Sequence, residues 1–190
     1  MNIVYFDLET RRSAAEVGGW HETGKMGVSV AVTYSTAAGA YHIYTEDQAG
    51  ELIAELQGAD LVVGYNHVGF DYGVLQPFTF WDIKEITRNL DLCTYLSERI
   101  GHRLKLDSVA TASLGHSKTA DGIQALKWWA EYEKTGNVEK LMEIARYCCY
   151  DVKVTMAVHR FGMKNGFVRY DDKNGDIITQ PVDWDRLTPA

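Results

Sequence analysis

The opening run MNIVYFDLET constrains the fold more than any other stretch of this chain. Ile, Val, Tyr, Phe and Leu favour a pleated, buried strand. Strand side chains alternate, so Val4, Phe6 and Leu8 share one face while Tyr5, Asp7 and Glu9 share the other. Carboxylates beside a core are costly unless they are paired or bound to a cation. Two of them two positions apart point the same way, with Cα atoms about 7 Å apart. Asp7 and Glu9 are therefore too close to sit unpaired and well placed to hold a cation between them.

Residues 3–9, 27–35, 39–45 and 60–65 read as strands, and a TAAG-type turn joins the second to the third. The segment 47–57 has helical spacing at Leu52, Ile53 and Leu56, and one more short strand is expected near 87–91. Helical periodicity then runs through 91–100, 105–114, 121–134 and 138–161, with Asp121 and Asn137 as expected N-caps. Prolines at 77, 181 and 189 leave that stretch uninterrupted. The end, GFVRYDDKNGDIITQP, reads as a hairpin about Asn174-Gly175. This order predicts an α/β domain with a mixed sheet over 1–165. A hairpin and tail, 166–190, is expected to pack on the same domain.

With 190 residues the chain is long enough to enclose a full core. A net charge of −7 argues against gripping nucleic acid by a broad basic face, though local bases can still guide a strand. The cysteines, Cys93, Cys148 and Cys149, form no C-x-x-C pair, so neither a disulfide framework nor a zinc knuckle is signalled. No apolar leader or membrane-length apolar run is visible, and the expected setting is a reducing cytoplasm.

Two further clusters carry chemistry. In GYNHVGFDYGVL, Asp71 follows a strand and stands at the expected start of a helix, where the dipole alone would favour an acid. In RYCCYDVKVT, Tyr147 and Asp151 are four residues apart, so a helix stacks them on one face. FDLET, GYN-x3-FD and YC-x2-D together resemble the three exonuclease motifs of the DEDD 3′–5′ exonuclease superfamily. The tyrosine subtype fits, because the histidine subtype has His five positions before the last Asp, where this chain has Arg146. The likeness, spanning residues 5–155, is strongest to the proofreading domain of family B DNA polymerases.

That resemblance implies a ribonuclease H-like fold: a mixed five-stranded sheet flanked by helices, with the C-terminal hairpin added. It implies two divalent metal ions, Mg²⁺ or Mn²⁺, the first held by Asp7, Glu9 and Asp151 and the second by Asp7 and Asp71. Tyr147 would position or help deprotonate the attacking water. Leu8 and Thr10 would meet the last base and sugar, while Asn66 and Phe70 would belong to the substrate cleft. Oxygen-only ligands suit such hard ions, and a pair of them can clamp an in-line attack on a phosphodiester.

Other features have plainer readings beside functional ones. The loop 11–27 could cover the scissile nucleotide, or could be a solvated loop with Trp20 tucked on the core. Arg103, Lys105 and Lys118 suit phosphate contacts or a solvated helix face. The spacing of Ile123, Leu126, Trp129 and Ala130 predicts a core stripe in place of base stacking. Asp91 reads as a helix cap that could also support the metal centre, and His67 as a surface or supporting residue.

The expected function is metal-dependent removal of nucleotides from single-stranded or frayed 3′ ends. DNA is favoured over RNA, and work in end repair beside a partner such as a helicase or polymerase is expected. Two alternatives stand: a structure-selective or RNA-processing nuclease of the same fold, and a catalytically silent nucleic-acid-binding module.

Overall fold

In chain order the elements are β1 (Ile3–Thr10), α1 (Ala14–Val17), a 3-10 turn (Trp20–Lys25), β2 (Val28–Ser35), β3 (Ala40–Tyr44), α2 (Ala49–Gln57), β4 (Leu61–Gly64), α3 (Asp71–Leu75) and α4 (Ile83–Ile86). They continue with β5 (Asn89–Asp91), α5 (Leu92–Ile100), α6 (Leu106–Leu114), α7 (Gly122–Thr135), α8 (Val138–Asn165), β6 (Phe167–Asp171), β7 (Ile177–Pro181) and α9 (Trp184–Leu187). The structure, a computed structural model, describes residues 1–115 and 122–187. Lys118 and the expected cap Asp121 lie outside the described residues.

The expected mixed five-stranded sheet is present, in the order β3-β2-β1-β4-β5, with β1 in the centre. β2 pairs antiparallel with both β1 and β3, while β4 runs parallel to both β1 and β5. Both faces of β1 are covered. Val4, Phe6 and Leu8 pack against α2 and α3 through Leu52, Leu56, Tyr72 and Leu75. Ile3 and Tyr5 face Trp129 of α7 and Val152 and Val158 of α8. Burying each large apolar side chain contributes about 1.5–3 kcal/mol. A one-residue slip of β1 would exchange its faces and drive Asp7 into the α2–α3 core, so burial fixes the register.

The β1–β4 ladder stops at Tyr5 opposite Val63, and β4 itself ends at Gly64. Asp7 and Glu9 therefore lie beyond the last rung, where β1 continues alone on that side. A crevice at the carboxyl ends of parallel strands is the usual place for a ligand in an α/β sheet.

α8 spans 28 residues across the Tyr5–Asp7–Glu9 face. Asn137 caps it by accepting from the Glu139 amide at 3.1 Å, as expected, and Gly166 ends it in a left-handed turn at φ 72°. The Tyr5 hydroxyl is hydrogen-bonded to His159 Nδ1 at 2.9 Å, two turns beyond Asp151, and burial pushes the His159 pKa down to about 4, so the ring is neutral. This buried bond holds the helix in one rotation against β1. The C-terminal hairpin β6–β7 is antiparallel, and Trp184 after it is fully buried against Gly162 of α8. Tyr95 of α5 donates its hydroxyl to Asp183, beside Trp184.

The stripe expected on α7 is rotated. Ile123 and Ala130 are exposed, while Ala125 and Trp129 are buried with Trp128 and Tyr132 packed beside them. Several 3.6-residue phases fit a helix this rich in apolar residues, and contact with β1 and α8 selects among them. Among the described residues, no helix is long and apolar enough to cross a membrane.

Candidate active site

Asp7 and Glu9 reach the crevice from the part of β1 that runs on past β4, and Asp151 reaches it from the middle of α8. Carboxylate oxygens of the three lie within 4.8 Å of one another. Such convergence of like charge raises pKa values, as does burial. The Asp7 carboxyl is pushed well up, first by burial and then by the charges of Asp71, Asp151 and Glu9. Repulsion of this kind is relieved by a cation, and the oxygen-only donor set fits a hard divalent ion.

Tyr147 sits one helical turn before Asp151 and donates its hydroxyl to that carboxylate. Burial, then the charges of Asp151, Glu9 and Asp7, hold the phenol well above its ordinary pKa. It keeps its proton and acts as a hydrogen-bond donor.

Asp71 opens α3 and is only 4% exposed, outside the trio of converging carboxylates. Its Oδ1 accepts the Leu8 amide at 3.1 Å, an N–H left over once β1 has passed the end of β4. Burial raises its pKa to about 7, against the lowering effect of the Leu8 amide bond. Asp71 therefore stands directly beside the Asp7 strand, near enough for its charge to act on the Asp7 carboxyl.

The remaining expected residues are placed as follows. The Leu8 side chain is buried on the α2–α3 side, with its amide engaged by Asp71. Thr10 is 8% exposed, and its hydroxyl donates to the Arg12 carbonyl at 3.0 Å. Asn66 adopts a left-handed φ of 67°, which Asn tolerates better than most residues. Phe70 is half-buried immediately before Asp71. A cavity of about 650 Å³ opens beside the carboxylates, lined by Asn66, Arg103, Lys105, Asp107 and Asp151 among others. Two bases thus share a wall with a candidate metal ligand, although the chain as a whole is acidic.

Asp91 caps α5, as expected, and also holds the loop before α3. Oδ1 accepts the amides of Cys93 and Thr94 at 3.0 and 3.1 Å, capping α5, and also Asn66 at 2.8 Å. Oδ2 accepts Val68 at 3.0 Å, so one carboxylate pins the loop that delivers Asp71. His67 is not a surface residue: it is 1% exposed, edge-on to Phe6 and Tyr72, with Nε2 3.2 Å from Asn89 Oδ1. Trp20 is not tucked on the core but is 73% exposed.

One participant was not singled out from sequence. The Cys148 thiol, fully buried, lies 3.3 Å from the Asp7 carbonyl oxygen and 3.4 Å from Asp7 Oδ2. Burial and the Asp7 charge raise its pKa, so it is a neutral donor to Asp7, not a soft thiolate ligand. Its place three residues before Asp151, on the same helical face, was the available signal.

The sequence profile of the RNase_H superfamily matches residues 4–160, a span that contains every carboxylate of the site. Among solved structures, the chain is similar to the family B DNA polymerase from the hyperthermophilic archaeon Pyrobaculum calidifontis. The TM-score is 0.61 at 15% identity, over 86% of this chain and 24% of that one, so the likeness is one of fold and spans about a quarter of the polymerase. No curated protein matches the chain.

Proposed function

The chain belongs to the RNase H superfamily, and we propose that within it this protein is a metal-dependent 3′–5′ exonuclease of the DEDD tyrosine type. Its substrate would be single-stranded or frayed 3′ ends, with DNA ahead of RNA. The observation that carries this reading is the convergence of Asp7, Glu9 and Asp151 within 4.8 Å, with Tyr147 bonded to Asp151.

In this reading Asp7, Glu9 and Asp151 hold one divalent cation, and Asp7 with Asp71 holds a second. When bound, Mg²⁺ or Mn²⁺ supplies Lewis-acid activation of water and neutralises charge on the phosphate. The chain's own groups do the positioning. Tyr147, a phenol held protonated, orients the attacking water by hydrogen bonding. Cys148 and the Leu8 amide fix the carboxylates of Asp7 and Asp71. Arg103 and Lys105, on the cavity wall, suit the phosphates of the incoming strand. The water oxygen would bond to phosphorus as its proton passes to solvent, the bond to the penultimate 3′-oxygen would break with that oxygen taking a proton from solvent, and a 5′-mononucleotide would leave. A helicase or polymerase partner would supply frayed ends for such an enzyme.

The test is digestion of 5′-labelled single-stranded DNA, and of RNA of the same sequence, with Mg²⁺ or Mn²⁺. The expected result is a ladder shortened from the 3′ end, with Asp7→Ala slower by at least about 10³-fold. A few discrete internal cuts would favour a structure-selective nuclease instead. Inactivity on both substrates, with metal still bound, would favour the binding module.

A further inference from the structure

Trp20 is an exposed aromatic residue on a segment that is tightly held. Before it, Ser13 and Glu16 form a reciprocal cap on α1, with the Ser13 amide 2.7 Å from Glu16 Oε2. Gly18 and Gly19 follow at φ 100° and 134°, conformations open to glycine, and the Gly19 amide returns to the Ala14 carbonyl at 2.7 Å. After it, the 3-10 turn ends at Met26, which is 1% exposed. The turn also rests on α3 and the residues just after it: Thr23 lies against Gly73, and Gly24 lies against Pro77. Trp20 is thereby fixed relative to α3, the element that Asp71 opens.

An indole carried on so well-held a backbone and left 73% exposed gives up burial that a core position would provide. Among the described residues its aromatic neighbour is Phe70, with ring centroids 5.9 Å apart at an interplanar angle of 63°. The two rings form a corner immediately before Asp71. Flat aromatic faces beside a phosphodiester site match an unpaired nucleobase, whose π-face needs no sequence readout. Bases within a duplex have their faces covered by their neighbours. Trp129, by contrast, is buried in the core at 6% exposure and offers no open face to a base.

We propose that Trp20 is a substrate-binding residue: with Phe70 it forms a stacking corner for an unpaired base near the 3′ end and so selects single strands. This rests on the exonuclease reading and adds to it a residue outside the three motifs that would recognise the unpaired base.

The experiment measures the affinity of 5′-fluorescein-labelled dT8 by anisotropy, with Ca²⁺ replacing Mg²⁺. The parent, Trp20→Ala and Trp20→Phe are compared, and each is also given an oligonucleotide with abasic sites at its two 3′-terminal positions. Trp20→Ala should weaken dT8 binding by about 5- to 100-fold, whereas Trp20→Phe stays within about threefold. The abasic oligonucleotide should bind the parent as weakly as dT8 binds Trp20→Ala, and the two losses should not add. Equal dT8 affinity for parent and Trp20→Ala, or fully additive losses, would overturn the proposal. A parent that digests 5′-labelled dT from its 3′ end yet shows either of those results leaves the exonuclease reading intact. A parent that neither binds nor digests it removes both. Thermal melts confirm that the variants are folded, since an exposed side chain should leave the transition within about 2 °C.

Discussion

Removing the charge of Asp71 should stabilise this protein when metal is stripped away. Its carboxylate is 4% exposed, and burial raises its pKa from the ordinary 3.8 to about 7. At about 1.4 kcal/mol per pH unit, that interval corresponds to roughly 4 kcal/mol as an upper bound. The sign follows from proton binding. A carboxyl that holds its proton more tightly when folded favours the fold at low pH. That contribution is lost as pH rises from about 4 to about 7, and it stays lost above. Asp71→Asn mimics the protonated form and keeps an oxygen for the Leu8 amide. In EDTA at pH 8 the variant should therefore melt higher than the parent, while at pH 4 the two should nearly coincide. A chain of this length moves by about 2–4 °C per kcal/mol, so the gap at pH 8 should be several degrees and no more than about 15 °C. Mn²⁺ should then raise the parent more than the variant, because cation binding offsets the same repulsion. The assay is a set of thermal melts by circular dichroism across pH 4–8. A gap that does not change with pH, or a variant that melts lower at pH 8, would refute the account of Asp71 as a buried, destabilising charge.

Tyr147→Phe should slow strand digestion by about 10²-fold, less than Asp7→Ala, while leaving the Mn²⁺-induced rise in melting temperature unchanged. Equal damage from the two substitutions would mean that the phenol does more than orient water. Arg103→Ala should raise KM for single-stranded DNA several-fold, with little effect on kcat. It should also lower the salt dependence of binding by about one counterion, read from log Kd against log salt. Gly162→Ala would put a methyl group into the Trp184 ring and should reduce stability by about 1–3 kcal/mol, measured by urea unfolding.

Local pattern determined a large part of this protein. The alternation in IVYFDLET placed Asp7 and Glu9 opposite Phe6 and Leu8, and the structure keeps that division. The spacing of Tyr147 and Asp151 placed phenol and carboxylate on one turn, where they meet. Strand and helix positions follow the periodicities, because pleat and helix each repeat within a few residues. What local pattern could not decide is how separate elements face one another. Nothing between residues 7 and 148 says that the Cys148 thiol will lie 3.4 Å from Asp7 Oδ2. That contact depends on β1 taking the central place in the sheet and on α8 crossing it at one rotation. The α7 stripe turned towards Ala125 and Trp129 for the same kind of reason, since the neighbours choose the phase. His67 went inside because Phe6, Tyr72 and Asn89 surround it, and Trp20 stayed outside because its turn is locked to α3. Sequence alone determined which side chains share a strand face or a helix turn, for those relations depend only on backbone geometry. Tertiary structure alone decided how closely the carboxylates approach, that Asp71 stands outside the trio, and which indoles meet solvent, because these are set by the packing of the whole chain.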